Sequence, residues 1–275
     1  MIPALIFSRD RACQLDALLR SLDKYAPGVF GPRVVLFRAT TPEFAKGYER
    51  CESHHRPATL FTLEYGFAEQ VMTMVEGLYD AHPHELVVTF TDDDTLVRPV
   101  DETTIRLAMQ DAEILAFSLR LGRNTIHCYP TDTPQTAPAF EDRDDYLSWP
   151  WRVADGDFGY PMSLDGHVFA VQDLVRALCA CSSFPNPNTL EAELSRVALK
   201  SRGTDGSTLA CYPHSALVGV PLNRVQSVYP NRCGGERRLT PEALNEAYLG
   251  GQILEYLSVP VVGAHQELPV MMEDV

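Results

Sequence analysis

An α/β architecture built on a mostly parallel central sheet is what this sequence predicts, and three observations carry the prediction. Short apolar, β-branched runs alternate with stretches of helical spacing through the first hundred residues, the pattern of repeated strand–helix–strand units. At 275 residues and 45% hydrophobic content, the chain can bury one large core with a helical appendage. The run from Leu86 to Val97, LVVTFTDDDTLV, starts as a buried strand and emerges from the core into three consecutive carboxylates. In a sheet of this kind ligands bind beyond the carboxyl ends of the strands.

The elements follow in order. Ala4 to Phe7 forms a first strand, and Cys13 to Leu22 a helix with Leu15, Leu18, Leu19 and Leu22 on one face, ended by Pro27-Gly28. Val34 to Phe37 is a second strand, Tyr48 to Cys51 lies in a helix, Thr59 to Leu63 is a third strand, and Phe67 to Tyr79 a helix leading through Pro83 to the acidic strand. Beyond Arg98-Pro99, Glu102 to Asp111 reads as a helix and Ile114 to Leu119 as a strand. Residues 130–161 carry prolines, acidic clusters, Trp149 and Trp151, read equally as a lid over the acceptor or as a loop whose tryptophans cover an apolar seam. Thr189 is placed to cap a helix continued by Leu190, Leu194 and Val197, and Val218 to Gln226 forms a closing strand and turn. Thr240-Pro241 opens a last helix running to Leu254, followed by a loose acidic tail.

Charge and cysteine usage narrow the partners. A net charge of −14 disfavours nucleic acid and anionic membrane surfaces, so a bound phosphate must be met locally. Seven cysteines form no CxxC pair, which suggests neither a zinc ribbon nor a disulfide scaffold. No apolar run approaches the roughly 18 residues of a membrane span, and the expectation is a cytoplasmic protein without a transmembrane segment.

Three adjacent carboxylates repel one another unless a cation or a ring of donors neutralises them, and hard oxygen ligands suit Mg²⁺ or Mn²⁺. An apolar strand ending Asp92-Asp93-Asp94-Thr95-Leu96, in a chain opening Pro3-Ala4-Leu5-Ile6-Phe7-Ser8-Arg9-Asp10-Arg11, resembles the nucleotide-sugar glycosyltransferases of the GT-A fold, both the family 2 and the exostosin-like kind. The triplet is similar to their DxD motif. The resemblance implies a Rossmann-like three-layer sandwich with helices on both faces of the sheet, over residues 1–228. Residues 1–100 would bind the nucleotide-sugar, residues 101–228 the acceptor, and 229–275 would form a C-terminal helical extension and tail.

Site residues follow from strand ends and from the resemblance together. Phe7, Ser8, Arg9 and Arg11 after the first strand, Arg38 with Thr40 after the second, and Asp92 and Asp93 would hold the nucleotide; arginine is favoured because it pairs phosphate bidentately. No GxGxxG or Walker glycine cradle occurs. The resemblance implies Asp92 and Asp94 as metal ligands with His214 as a late third. It places Asp165, Gly166 and His167 beside the reacting sugar, Asn223 and Arg224 toward the pyrophosphate, and Glu191 as the catalytic base ahead of Glu193, although Leu-Glu-Ala-Glu departs from the family's usual Glu-Asp pair. The expected donor is a UDP-sugar or a GDP-sugar and the acceptor a carbohydrate or glycoconjugate hydroxyl. A nucleotidyltransferase acting on a sugar phosphate, or a non-catalytic sugar-binding module, is the alternative. A dehalogenase-type phosphatase is disfavoured, since its DxDxT pattern needs one more residue before Thr95.

Overall fold

A computed structural model describes residues 1–200 and 207–274. Its strands are β1 (Ile2–Arg9), β2 (Phe30–Arg38), β3 (Thr59–Leu63), β4 (Leu86–Thr91), β5 (Asp94–Leu96), β6 (Ile114–Ser118), β7 (His127–Cys128), β8 (Thr133–Pro134), β9 (Glu141–Arg143), β10 (Tyr146–Pro150), β11 (His167–Ala170), β12 (Thr208–Cys211), β13 (Leu217–Gly219), β14 (Gln252–Tyr256) and β15 (Val270–Asp274). Its helices are α1 (Ala12–Tyr25), α2 (Pro42–His55), α3 (Phe67–Ala81), α4 (Glu102–Ala108), α5 (Val171–Cys179), α6 (Pro187–Lys200) and α7 (Pro241–Leu249). Nine strands form the central sheet in the order β3-β2-β1-β4-β11-β6-β12-β10-β9. All run parallel except β11, inserted antiparallel between β4 and β6, and β10, antiparallel to both β12 and β9. The architecture is therefore α/β with a mostly parallel sheet, as the strand–helix alternation predicts.

Alternation along β1 builds the layers. Ile2, Ala4 and Ile6 point into one core with α1, Tyr48 of α2 and Tyr248 of α7, while Leu5 and Phe7 point into the other with Phe67 of α3, Leu174 of α5 and Leu190 of α6. Helix α2 is far longer than its predicted core because Phe44, Tyr48 and Cys51 repeat at helical spacing and Thr41 caps it, Oγ1 accepting from Phe44 N at 3.3 Å. Asn186, rather than Thr189, opens α6: its Oδ1 accepts from Thr189 N at 3.0 Å, and Thr189 Oγ1 accepts from Asn186 N at 3.2 Å.

The long acidic strand divides in two. β4 stops at Thr91, whose N–H donates to Asp94 Oδ2 at 3.0 Å, and this bond closes a turn over Asp92 and Asp93 before β5 pairs antiparallel with β13. Trp149 and Trp151 are each 1% exposed. Trp149 Nε1 donates to Phe158 O at 3.0 Å and its ring meets Phe140 and Phe158 edge-on, so these side chains are core and the lid reading does not hold for them.

The last helix ends at Leu249, earlier than expected, because Gly250 and Gly251 (φ +101°) turn the chain into β14. The tail expected to be loose instead forms β15, antiparallel to β14, and Leu254, Leu268 and Val270 join the α1 core. Among the described residues no helix is long and apolar enough to cross a membrane.

Candidate active site

The carboxyl ends of β1, β2 and β4 open into one cavity of about 550 Å³, within the usual range for a small-molecule site. Its first wall is set by a sharp turn after β1. Asp10 takes the left-handed conformation (φ 55°), tolerable for aspartate, and its carboxylate accepts from Thr40 N (2.7 Å) and Thr40 Oγ1 (2.9 Å), tying the ends of β1 and β2 together. Arg11 then reaches the acidic turn. Its Nη1 donates to Asp92 Oδ1 at 2.9 Å and Asp93 Oδ2 at 3.1 Å, its Nε to Asn223 Oδ1 at 2.9 Å, and its Nη2 to the Asn223 carbonyl. Asp92 Oδ2 accepts from Ser8 Oγ and from Arg9 N, both at 2.9 Å. Burial works against the Arg11 charge, but Asp93 and Asp92 hold its pKa above the ordinary value. Burial pushes Asp92 up to about 6 against the downward pull of Arg11.

The second wall comes from the β11 turn and the C-terminal segment. Gly166 (φ +67°) turns the chain into β11 and leaves Asp165 facing Thr91. Thr91 Oγ1 lies 2.9 Å from both Asp93 Oδ1 and Asp165 Oδ1, so one hydroxyl proton serves two carboxylates. Asp165 Oδ2 meets His265 Nε2 at 3.0 Å, and His265 is placed by a bridge to Gly219. Burial opposes the Asp165 charge, yet the His265 hydrogen bond and charge together with Arg120 hold it well below the usual carboxylate range. Asp94 behaves oppositely. It is fully buried, its Oδ1 has no partner, and burial plus the charges of Asp165 and Asp93 push it well above that range.

Glu191 closes the far side. Its Oε1 accepts from Ser163 Oγ at 2.8 Å and Leu164 N at 2.9 Å, and burial followed by the Asp165 charge raises its pKa. Beside it lies Arg120, 2% exposed, whose Nε has no partner and whose Nη1 stands 3.8 Å from Asp157 Oδ1. Asp157 is fixed by Gln135, which donates to its Oδ2 at 3.0 Å and accepts from its N–H at 3.0 Å. The rim carries guanidinium groups, three of them beside a carboxylate: Arg9 stands 3.7 Å from Asp10, Arg38 3.5 Å from Glu64 and Arg232 2.9 Å from Asp132. Arg9, Arg38, Arg224 and Arg232 line the opening of this cavity in a chain of net charge −14.

The structure thus gathers Phe7, Ser8, Arg9, Arg11, Arg38, Asp92, Asp93, Asp165, Glu191, Asn223 and Arg224 around one space. It separates others from it. His214 is exposed and outside the cavity, so it is not a third ligand there. Glu193 accepts from Arg196 and Ser182 on the outer face of α6 and supports the helix start instead. His167 is fully buried and held neutral, its pKa lowered to about 3 by burial and Arg120. Sequence reasoning did not single out Arg120, Asp157 or His265. Arg120 directly follows a predicted strand and was accessible to the strand-end rule; His265 carried no local signal.

The expected metal ligands need correction on the same geometry. Asp92 has Arg11 as its counter-charge, and Asp92, Asp94 and His214 do not converge. Among the described residues, three ligand types within 4.8 Å of one another occur at Asp16, Cys51 and His55, between α1 and α2. There Asp16 is already met by Arg20 Nε at 2.8 Å, His55 Nε2 at 3.0 Å and Tyr248 OH at 3.1 Å, donors enough to satisfy a carboxylate without an ion. Asp94, Asp165 and His265 fit an ion no better: their ligand atoms are not among the described groups that lie within 4.8 Å of one another, Asp165 already takes His265 Nε2 and the Thr91 hydroxyl, and Asp94 does not line the cavity.

Fold and cavity define an α/β protein with arginines and carboxylates lining one site at the switch point of its mostly parallel sheet. No protein-family model matches the chain. It is 24% identical over 257 residues to a curated protein of Dictyostelium discoideum, "Bifunctional glycosyltransferase pgtA", an alignment that covers 84% of this chain and 33% of that protein, so the chain spans a third of its relative's length. Among solved structures, residues 1–349 of TarS from S. aureus in complex with UDP align over 79% of this chain and 59% of that one, at 11% identity and a TM-score of 0.46. A 4-diphosphocytidyl-2C-methyl-D-erythritol synthase aligns over 72% and 86%, at 11% identity and 0.41. The resemblance to GT-A-fold glycosyltransferases carried by the strand-1 and Asp92–Asp94 motifs is met by a sequence relative named for that activity.

Proposed function

We propose that this chain transfers a glycosyl group from a nucleoside-diphosphate sugar, UDP- or GDP-linked, to the hydroxyl of a carbohydrate or glycoconjugate acceptor. The observation that carries the reading is the convergence, in one cavity of a strongly acidic chain, of a guanidinium rim suited to a diphosphate and a buried glutamate of raised proton affinity. Arg9, Arg38 and Arg224 at the opening meet the phosphates, and Ser8 with the Asp92–Arg11 pair shapes the wall against the nucleoside.

A second depression, lined among others by Tyr229 and Lys200, joins the cavity at Tyr160, Asn188, Glu191 and Asn231. An acceptor entering there presents its hydroxyl to Glu191. The glutamate takes the hydroxyl proton as the oxygen attacks the anomeric carbon, the bond from that carbon to the terminal phosphate oxygen breaks, and the configuration inverts. A raised pKa makes Glu191 the stronger base, and Ser163 and Leu164 fix its rotamer. Of the acids in the turn Asp93 lines the cavity with part of its carboxylate exposed, and Mn²⁺ or Mg²⁺ arriving with the diphosphate would be met there and would supply charge compensation for the departing nucleoside diphosphate.

The test is transfer itself: incubation with UDP- and GDP-sugars, Mn²⁺ and an oligosaccharide panel, with mass spectrometry of the acceptor and assay of released nucleoside diphosphate. Mass added to an acceptor and lost in Glu191→Gln supports the reading. Pyrophosphate release from a nucleoside triphosphate and a sugar phosphate, without acceptor glycosylation, replaces it with nucleotidyl transfer.

A further inference from the structure

Six arginines line the cavity, and Arg120 differs from the other five in being buried without a hydrogen bond to any described residue. Arg9, Arg38, Arg224 and Arg232 are exposed, so water serves the nitrogens that no protein oxygen meets. Arg11 is buried but donates from three nitrogens. Arg120 is 2% exposed, its Nε reaches no acceptor, and the Asp157 oxygen facing its Nη1 stands at 3.8 Å, beyond hydrogen-bond reach. The carboxylates around it are engaged elsewhere: Asp157 with Gln135, Asp165 with Thr91 and His265, Glu191 with Ser163 and Leu164.

A second element points into the same space. The 14-residue helix α6 begins at the cavity wall, where Asn186, Pro187 and Asn188 line the opening and Glu191 follows on the same side, near enough to Arg120 for the two charges to interact. Asn186 accepts from Thr189 N and Leu190 N, but the Asn188 N–H meets no acceptor among the described residues. The positive end of a helix dipole thus borders the cavity beside a guanidinium with nothing to bond.

We infer that Arg120 and the start of α6 form a site for an oxyanion of the donor, either its terminal phosphate or a carboxylate carried on the transferred sugar. This rests on the reading of the cavity as a nucleotide-sugar site. A guanidinium offers two parallel N–H bonds to the paired oxygens of a carboxylate or phosphate, whereas a sugar hydroxyl brings one acceptor and no counter-charge. A buried ion left without hydrogen bonds is costly, and an anionic ligand removes that cost on binding. Glu191, the base of the proposed transfer, stands beside Arg120, so the oxyanion bound there belongs to a group next to the anomeric carbon. Both candidate sources meet that condition: the phosphate is bonded to that carbon, and the carboxylate of a uronic acid sits on the same ring.

The experiment is isothermal titration of the full chain with Mn²⁺ and UDP, UDP-glucose and UDP-glucuronate, with GDP, GDP-mannose and GDP-mannuronate alongside, for the wild type and Arg120→Met. The variant keeps the aliphatic stem, and without ligand its urea midpoint should be no lower than the wild type's, since the guanidinium makes no hydrogen bond that the fold would lose. Its affinity for the ligand whose oxyanion reaches Arg120 should fall about tenfold or more. Similar losses for the diphosphate and both of its sugar conjugates identify the terminal phosphate; a loss confined to the uronate conjugate identifies the sugar carboxylate. Arg120→Lys keeps the charge without the fork and should lower the same affinity several-fold; it decides the matter should Arg120→Met not fold. Affinities within about twofold of the wild type for every ligand, a loss confined to the neutral-sugar conjugate, or a midpoint that falls together with all affinities would overturn the site. Absence of nucleoside-diphosphate binding by the wild type would instead overturn the glycosyltransferase reading beneath it.

Discussion

Replacing Arg11 by methionine isolates what neutralises the acidic turn. The substitution keeps the aliphatic stem and removes a guanidinium that touches Asp92 Oδ1, Asp93 Oδ2 and both oxygens of Asn223. Asp92 Oδ2 keeps Ser8 Oγ and Arg9 N, so only half of that carboxylate is stranded, while Asp93 keeps partial exposure and the Thr91 hydroxyl. Breaking a buried pair from one side costs about 3–5 kcal/mol, and the surviving bonds put this case near about 3 kcal/mol. A domain of ordinary stability, about 5–15 kcal/mol, stays folded and measurable. Urea unfolding of the wild type, Arg11→Met, Asp92→Asn and the double variant closes a thermodynamic cycle, and the double variant should recover most of the loss because the unpaired charge is gone. A loss under about 1 kcal/mol in Arg11→Met, or full recovery of that single variant on adding Mn²⁺, would refute the assignment of Arg11 as the counter-charge of Asp92.

Three further outcomes are expected. Glu191→Gln should lower kcat about 10²–10⁴-fold with little change in donor affinity, and the wild-type kcat should rise with pH along a limb lying above the ordinary glutamate value, because burial and Asp165 raise Glu191; a pH profile shared by the variant would remove Glu191 from proton transfer. His265→Ala strands Asp165 Oδ2 in the cavity wall and should cost about 1–3 kcal/mol of stability at pH 7 in urea unfolding; unchanged stability would mean that His265 does not hold Asp165. Burial opposes the Asp16 charge, but His55 and Arg20 hold its pKa at about 2, below the ordinary 3.8, so its ionised form adds about 2 kcal/mol above pH 3.8, lost as pH falls through about 2. Asp16→Asn should therefore be destabilised at pH 7, with the gap to wild type closing toward pH 2, and a pH-independent gap would contradict this linkage.

Much of the first half of the fold is legible in the sequence because local pattern and tertiary fate agree there. Thr59–Leu63 is a strand with the bounds its β-branched run predicts, and Leu15, Leu18, Leu19 and Leu22 all enter the core. The wall of Ser8, Arg9, Arg11, Asp92 and Asp93 is legible for the same reason: each sits at the carboxyl end of a strand that reads clearly. Legibility fails where partners arrive from far along the chain. Arg11 turning Asp92 from a free ligand into an ion-pair partner depends on a left-handed Asp10 and on Asn223, more than two hundred residues away. His265 reaches Asp165 through a single bridge to Gly219, with no periodicity to announce it. His214, equally late and equally isolated, could not be told from it by sequence position. The tryptophans show the same limit, since a Pro-rich acidic segment predicts a surface loop and gives no sign that Phe140 and Phe158 bury Trp149 beneath it.

The central claim is that the arginine rim and the Asp92–Arg11 wall bind a nucleoside diphosphate that carries a sugar. Equilibrium titration of the chain with UDP, GDP, their sugar conjugates and the matching triphosphates, with and without Mn²⁺, tests it most directly. The account predicts saturable one-to-one binding of a diphosphate and its sugar conjugate, competed by one another and strengthened by the ion. Binding confined to triphosphates, or none to any nucleotide, would contradict it.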